Sequence, residues 1–364
     1  MKYRLLLAFL VLVLVSFVAV LTLGSPPPPQ LATVADTTEN TNSLRSLAQK
    51  QGIAIGAAVA FKPLQNDPTY AKVLAREFNL LVPENEMKFS QVHPKRDRYN
   101  FSKSDALVEF AKTNHLKVRG HPLVWHYALP SWLDDGNFTR DELLTILKTH
   151  VQTLVSRYRE QTVAWDVVNE ALNRDGSFRD TLWLRHIGPE YLDLAFRWAH
   201  EADPDARLFY SDYGGEELGQ KSDAIYKLVE GMLQRGVPIH GVGMQMHKGL
   251  SYVPELEPLT KNIKRLGELG LEVQFTELDV QIADGSGSRQ ERLEKQADIY
   301  KGLLDVCLSL KNCTAFITWG FTDRHSWVGD LTGQVEAPLL FDATYRPKPA
   351  YEALIESLET ETQE

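Results

Sequence analysis

Trp165-Asp166-Val167-Val168-Asn169-Glu170 decides how this chain is read. Residues Val163 to Val168 are mostly β-branched or aromatic, the composition of a buried strand. The strand stops in two polar residues, Asn169 and Glu170. A carboxylate at the end of a buried strand is costly unless it lines a cavity or meets a partner. In a barrel of parallel strands, that end is where active sites lie. The pattern recurs where Leu271-Glu272-Val273-Gln274-Phe275 runs into Thr276-Glu277-Leu278-Asp279. Two strands thus each deliver a glutamate at the C-terminal end. Two facing carboxyl groups can cleave a glycosidic bond. Two surface glutamates just past strand ends are the simpler reading, and spacing alone leaves it open.

Outward from this stretch the chain alternates strand and helix. Apolar runs at 53–59, 78–82, 116–120, 207–210, 240–244 and 315–318 supply the other strands. Helical patterns fill 67–77, 104–113, 139–158, 189–202, 221–235, 255–269, 289–310 and 349–358. Thr139 caps one of them, with Glu142 at capping-box distance. Eight strand–helix periods predict an α/β fold of the (β/α)8 TIM-barrel type. A doubly wound open sheet is the alternative, but no Gly-rich phosphate loop follows any strand.

The chain of 364 residues is 43% hydrophobic and 24% charged, ordinary values for a large core. Its net charge of −9 and the lack of a basic run beyond the first residues argue against nucleic-acid binding. Lys2 and Arg4 precede an apolar run from Leu5 to Leu23, so residues 1–24 read as a signal peptide or an uncleaved membrane anchor. Either one exports the remainder, which is expected to be secreted or held on the outer side of the membrane. Residues 25–42 begin Pro-Pro-Pro-Pro after Ser25 and read as a linker; 43–360 form the catalytic domain. Two cysteines in an exported chain, Cys307 and Cys313, suggest a short disulfide clasp. Asn100, Asn137 and Asn312 lie in Asn-x-Ser/Thr patterns.

Just past the strand ends stand Glu84, Asn85, Lys88, His121, Trp125, Asn169, Glu170, Asp212, Tyr213, Gln245, His247, Glu277, Asp279, Trp319 and Trp327. Polar hydrogen-bonding groups and aromatic rings dominate, the mixture that binds sugar hydroxyls and stacks on sugar rings. Each alone has a bland structural reading. Convergence on one barrel face favours a site, because the opposite face serves stability.

The chain resembles the endo-β-1,4-xylanases of glycoside hydrolase family 10. The matching segments are Pro83-Glu84-Asn85-Glu86-Met87-Lys88, Gly120-His121-Pro122-Leu123-Val124-Trp125-His126, the opening stretch, Gly241-Val242-Gly243-Met244-Gln245-Met246-His247, Thr276-Glu277-Leu278-Asp279, and Trp319-Gly320 with Asp323, Ser326 and Trp327. They occur in family order over about residues 44–358. The resemblance implies a retaining mechanism with Glu170 as acid/base and Glu277 as nucleophile. It implies that Asn169 binds the 2-hydroxyl, and that His247 orients Glu277 with Asp279 behind it. Gln245, His121, Lys88 and Trp125 would line the cleavage point, Glu84 and Asn85 the next sugar, and Trp319 and Trp327 the donor wall. Tyr213 joins the substrate-binding set.

Acid and nucleophile being side chains, no cofactor or metal is expected, and the partner is xylan or xylo-oligosaccharide bound by a monomer. A β-1,4-glucanase of the same mechanism, or a non-hydrolytic glycan-binding barrel, are the competing readings. The chain departs from the family at Ser211-Asp212-Tyr213-Gly214, where Asn-Asp-Tyr-Asn is usual and the second Asn is a leaving-group-side sugar contact. It also departs at Met244 and Met246, at Phe89 and at Lys248. These bear on chain-length preference and on the choice between related β-1,4-glycans.

Overall fold

The computed structural model describes residues 42–333 and 336–360. The leader or anchor expected at 1–24 and all of the linker but Asn42 lie outside the described residues. Eight parallel strands close into a barrel: β1 (Ala54–Val59), β2 (Leu80–Pro83), β3 (Lys117–Gly120), β4 (Thr162–Asn169), β5 (Arg207–Asp212), β6 (Gly241–Met244), β8 (Glu272–Gln281) and β9 (Cys313–Thr318). β9 pairs with β1, and β6 pairs with β8, which completes the ring. A short additional strand, β7 (His247–Gly249), pairs with the end of β8.

Two details differ from the sequence expectation. β8 does not stop before Glu277 but runs on to Gln281, because Asp279–Gln281 gain β7 as a partner. Glu277 therefore sits within a strand, whereas Glu170 is the first residue beyond β4. Short helices at Leu44–Lys50, Phe61–Asn66, Phe89–Val92, Ser131–Asp134, Leu182–Ile187 and Trp327–Thr332 escape the period count. They are too short to show a helical repeat of apolar residues. The longer helices follow their sequence signals. The one over Arg140–Arg157 opens in a capping box, Thr139 with Glu142.

The helices cover the barrel and bury an extended apolar layer against it. Trp165 is fully buried, and its ring lies where a Cβ on Gly120 would stand, 2.1 Å away. Gly120 is thus required by the opening motif: any side chain there would displace the indole. The barrel interior is partly polar. Arg119, with no exposure to solvent, donates to Asp166 through Nε (3.1 Å) and Nη2 (2.5 Å), and through Nη1 to Gln274 on the far strand β8 (2.5 Å). Its guanidinium also lies over the Phe209 ring of β5. Burial alone raises the Asp166 carboxyl pKa, and Arg119 and His121 more than reverse this, leaving it lowered.

Cys307 and Cys313 form a disulfide that ties a helix end to the start of β9. Asn312 spends its side-chain amide on the carbonyls of Ile263 and Leu271, so a glycan there would cost both hydrogen bonds.

Removing one member of a buried pair leaves an uncompensated charge, at a cost of about 3–5 kcal/mol. Arg119→Met is expected to lower the unfolding free energy by about that amount in urea titration. Adding Asp166→Leu should recover part of the loss; a single variant as stable as the parent would show that the pair is not a structural anchor.

Candidate active site

The C-terminal ends of the strands open into a cleft of about 980 Å³. Lys88, His121, Trp125, Asn169, Glu170, Tyr213, Gln245, His247, Glu277, Trp319 and Trp327 all line it. Glu84 and Asn85 do not. They lie beside it, where the Asn85 amide donates to Glu84 (3.2 Å) and its Oδ1 accepts from Lys88 Nζ (2.8 Å). Lys88 is the link, lining both the cleft and the neighbouring depression that holds Asn85.

Gln245 joins the two acids. Its backbone carbonyl accepts from Glu277 N (3.0 Å), and its side-chain amide donates to Glu170 Oε1 (3.0 Å) and Asn169 Oδ1 (3.2 Å). The backbone is bent to permit this. Glu170 has φ 57° and Met246 φ 66°, left-handed values that non-glycine residues seldom adopt. The first turns Glu170 off the end of β4, where its N–H donates to Ser211 O (2.9 Å). The second lies between Gln245 and His247, both of which line the cleft.

The acids have different neighbours. His247 lies between two carboxylates, Asp279 Oδ2 at 2.9 Å from Nδ1 and Glu277 Oε2 at 3.3 Å from Nε2. Burial lowers the imidazole pKa, but Asp279 and Glu277 outweigh it and raise it to about 10. The ring is then an imidazolium with both N–H groups engaged. Asp279 Oδ2 also accepts from Trp327 Nε1 (2.8 Å), which fixes one wall of the cleft to the same group. Around Glu170 the contacts are amides, together with His126 at 3.9 Å. Burial, helped by Arg179, lowers the His126 pKa to about 4, so this ring is neutral near pH 7. One glutamate is hydrogen-bonded to a cation and the other to neutral amides.

Other groups hold the walls. His121 Nδ1 engages Asp166 Oδ2 (3.0 Å), and the His121 ring meets Trp319 edge-on. Burial lowers the Lys88 pKa while Glu277, Glu84 and Glu86 oppose this; its ammonium lies 5.1 Å from the Trp125 ring centroid.

Four lining residues were not singled out from sequence: Tyr127, Arg174, Tyr252 and Leu331. All are exposed loop or short-helix positions whose place depends on the turn that carries them. Arg179, which donates to Glu170 O (3.0 Å) and to Tyr213 OH (3.0 Å), was missed as well. Of the departures, Met244 and Met246 are buried in the apolar layer and face away from the cleft. Phe89 stacks on His150 at 3.6 Å between ring centroids. Lys248 lines the cleft but is paired with buried Glu216 (3.1 Å). Gly214 lines the cleft with open space where a side chain would stand.

Two carboxyls at the C-terminal face of a parallel barrel, bridged by an amide and walled by indoles, define a glycoside hydrolase. The sequence profile of glycosyl hydrolase family 10 matches residues 43–357. Endo-1,4-beta-xylanase B of Thermotoga neapolitana is 44% identical over 326 residues, covering 88% of this chain and 93% of that protein. A beta-1,4-xylanase of Dictyoglomus thermophilum is 41% identical over 314 residues, 83% and 87% of the two chains. The crystal structure of xylanase 10B from Thermotoga petrophila RKU-1 in complex with xylobiose matches with a TM-score of 0.84 at 44% identity, covering 87% of this chain and 97% of that one. The chain belongs to glycosyl hydrolase family 10.

An imidazolium held by two carboxylates gives a direct readout. His247 is expected to keep both ring N–H groups through pH 8 in 15N NMR, since its pKa is raised to about 10 from 6.5. The stability it contributes is complete below pH 6.5 and is lost as the pH rises through about 10. Titration of this ring near 6.5 would contradict the bridging geometry.

Proposed function

We propose that the protein cleaves internal β-1,4-xylosidic bonds of xylan with retention of configuration, with Glu170 as acid/base and Glu277 as nucleophile. The observation that carries the assignment of roles is the unequal surroundings of the two acids. Glu277, beside the His247 imidazolium, suits a carboxylate that attacks the anomeric carbon. Glu170, among amides and a neutral imidazole, suits a carboxyl that gives its proton to the leaving oxygen. Attack forms a glycosyl ester on Glu277 and neutralises its charge. Glu170, now a carboxylate, takes a proton from water as that water hydrolyses the ester. Retention by this route requires carboxyls about 5–5.5 Å apart.

Asn169, whose Oδ1 already accepts from Gln245, offers its amide to the 2-hydroxyl of the sugar at the cleavage point. Hydrogen bonds there strengthen in the transition state. The indoles of Trp319 and Trp327 close the donor side against a hydroxymethyl group, which xylose lacks and glucose carries. The reading extends to location. The apolar run 5–23, the Pro-rich stretch after it and the disulfide Cys307–Cys313 support export of the catalytic domain, released or tethered.

Xylohexaose is expected to be cut internally to β-configured products by residues 43–364, followed by 1H NMR in the first minutes, and much faster than cellohexaose. α-Configured first products would overturn the retaining mechanism; preferred cleavage of cellohexaose would overturn the substrate. Glu170→Gln should slow xylohexaose turnover by about 10²–10⁴-fold. It should slow the first step on an aryl xylobioside far less, because a nitrophenolate leaves without a proton. Equal losses on both substrates would remove Glu170 from the role of acid.

A further inference from the structure

We propose that Arg174 recognises a carboxylate carried by the substrate, so that the leaving-group side of the cleft favours xylan bearing uronic acid branches; this rests on the xylanase reading above. Arg174 lines the cleft, is exposed, and forms no ion pair or hydrogen bond with any described residue. The acidic groups behind the cleft-lining Tyr213 and Lys248 are already neutralised. Asp212 is paired with Lys221 (2.7 Å) and Glu216 with Lys248 (3.1 Å). Asp175, beside it in sequence, accepts instead from the backbone and hydroxyl of Ser177 (3.0 and 2.6 Å). Arg174 is therefore a cation without a counter-charge, directed into a sugar-binding cleft of a protein whose net charge is −9. A neutral xylose backbone gives such a charge nothing to pair with, and a uronate does.

The turn that presents Arg174 is fixed beforehand. Asn173 N donates to Ser177 O (2.8 Å), Gly176 N to Asn173 O (3.0 Å), and Leu172 pairs with Phe178 across the hairpin. Gln220 holds the tip through Asp175 O (2.9 Å). Arg179 clamps the base to Glu170 O, Leu172 O and Tyr213 OH. The guanidinium thus springs from a braced hairpin that begins two residues after the acid/base. Gly214, which lines the same cleft, has φ 67° and nothing within 4 Å of where a Cβ would stand. The missing side chain leaves room for a branch in the cleft that Arg174 lines.

The test compares three substrates on the full catalytic domain: unbranched xylohexaose, a xylo-oligosaccharide with one glucuronyl branch, and the same oligosaccharide with that carboxyl reduced to the alcohol. The acid-branched substrate is expected to exceed its reduced counterpart in kcat/KM by about three- to five-fold, the scale of a favourable exposed ion pair. The advantage should shrink with added salt. In Arg174→Gln the ratio should fall to about one, and in Arg174→Lys it should be partly kept. Gly214→Asn, a residue that tolerates this left-handed φ, should slow both branched substrates relative to xylohexaose. A ratio near one in the parent, or one unchanged in Arg174→Gln, overturns the proposal while cleavage of xylohexaose upholds the xylanase reading. Failure to cleave xylohexaose would overturn that reading itself.

Discussion

The fully buried pair between Arg119 and Asp166 is the constraint on which the site depends. A charge in the interior of a barrel is tolerated only when its hydrogen-bonding capacity is met on several sides at once. Arg119 meets this by reaching from β3 to Asp166 on β4 and to Gln274 on β8, with the Phe209 ring beneath it. These strands carry the two catalytic candidates further along, Glu170 after β4 and Glu277 on β8. The same Asp166 carboxylate holds His121, which meets Trp319 in the cleft wall. The distance from stability to chemistry is therefore short: one carboxylate anchors Arg119 through both oxygens and, through Oδ2, also orients His121 in the cleft.

Above that layer, the differentiation of two identical side chains comes from their partners. Gln245 places both, through its backbone for Glu277 and its side chain for Glu170, and so couples their relative position. His247 then adds charge to one side only, and Asp279 fixes that charge and Trp327 together. The two left-handed residues, Glu170 and Met246, are where the backbone bears the cost of this arrangement. Neither is a glycine, because each position must carry a side chain: a carboxyl in the cleft at one, an apolar group in the core at the other.

The barrel and both acids were legible because their signals are physical extremes. An apolar run that ends in Asn169-Glu170 has few solutions besides a cavity rim, and eight such runs with helices between them have one common closed form. What was hidden follows from geometry that sequence does not encode locally. β7 is three residues long and pairs with the end of β8. Glu84 and Asn85 belong to a matching motif, yet the turn into Lys88 leaves them beside the cleft. Met244 and Met246 stand among the family departures, yet both are buried in the apolar layer, Met244 at the end of β6 and Met246 through a left-handed turn that separates Gln245 from His247. Arg174, Tyr127 and Tyr252 lie on loops, where residue type says little about direction. Arg174 acquires meaning only when Asp212 and Glu216 are seen to be paired.

In the proposed mechanism Glu277 forms the covalent bond to the sugar. This is tested most directly by trapping with an activated 2-deoxy-2-fluoro xylobioside, whose fluorine slows breakdown of the glycosyl ester, followed by peptide mapping in a mass spectrometer. One fluoroxylobiosyl group per chain is expected, on the peptide containing Thr276-Glu277-Leu278-Asp279 and on Glu277 itself. A label on Glu170, or an enzyme that turns over xylo-oligosaccharides yet never acquires a label, would contradict it.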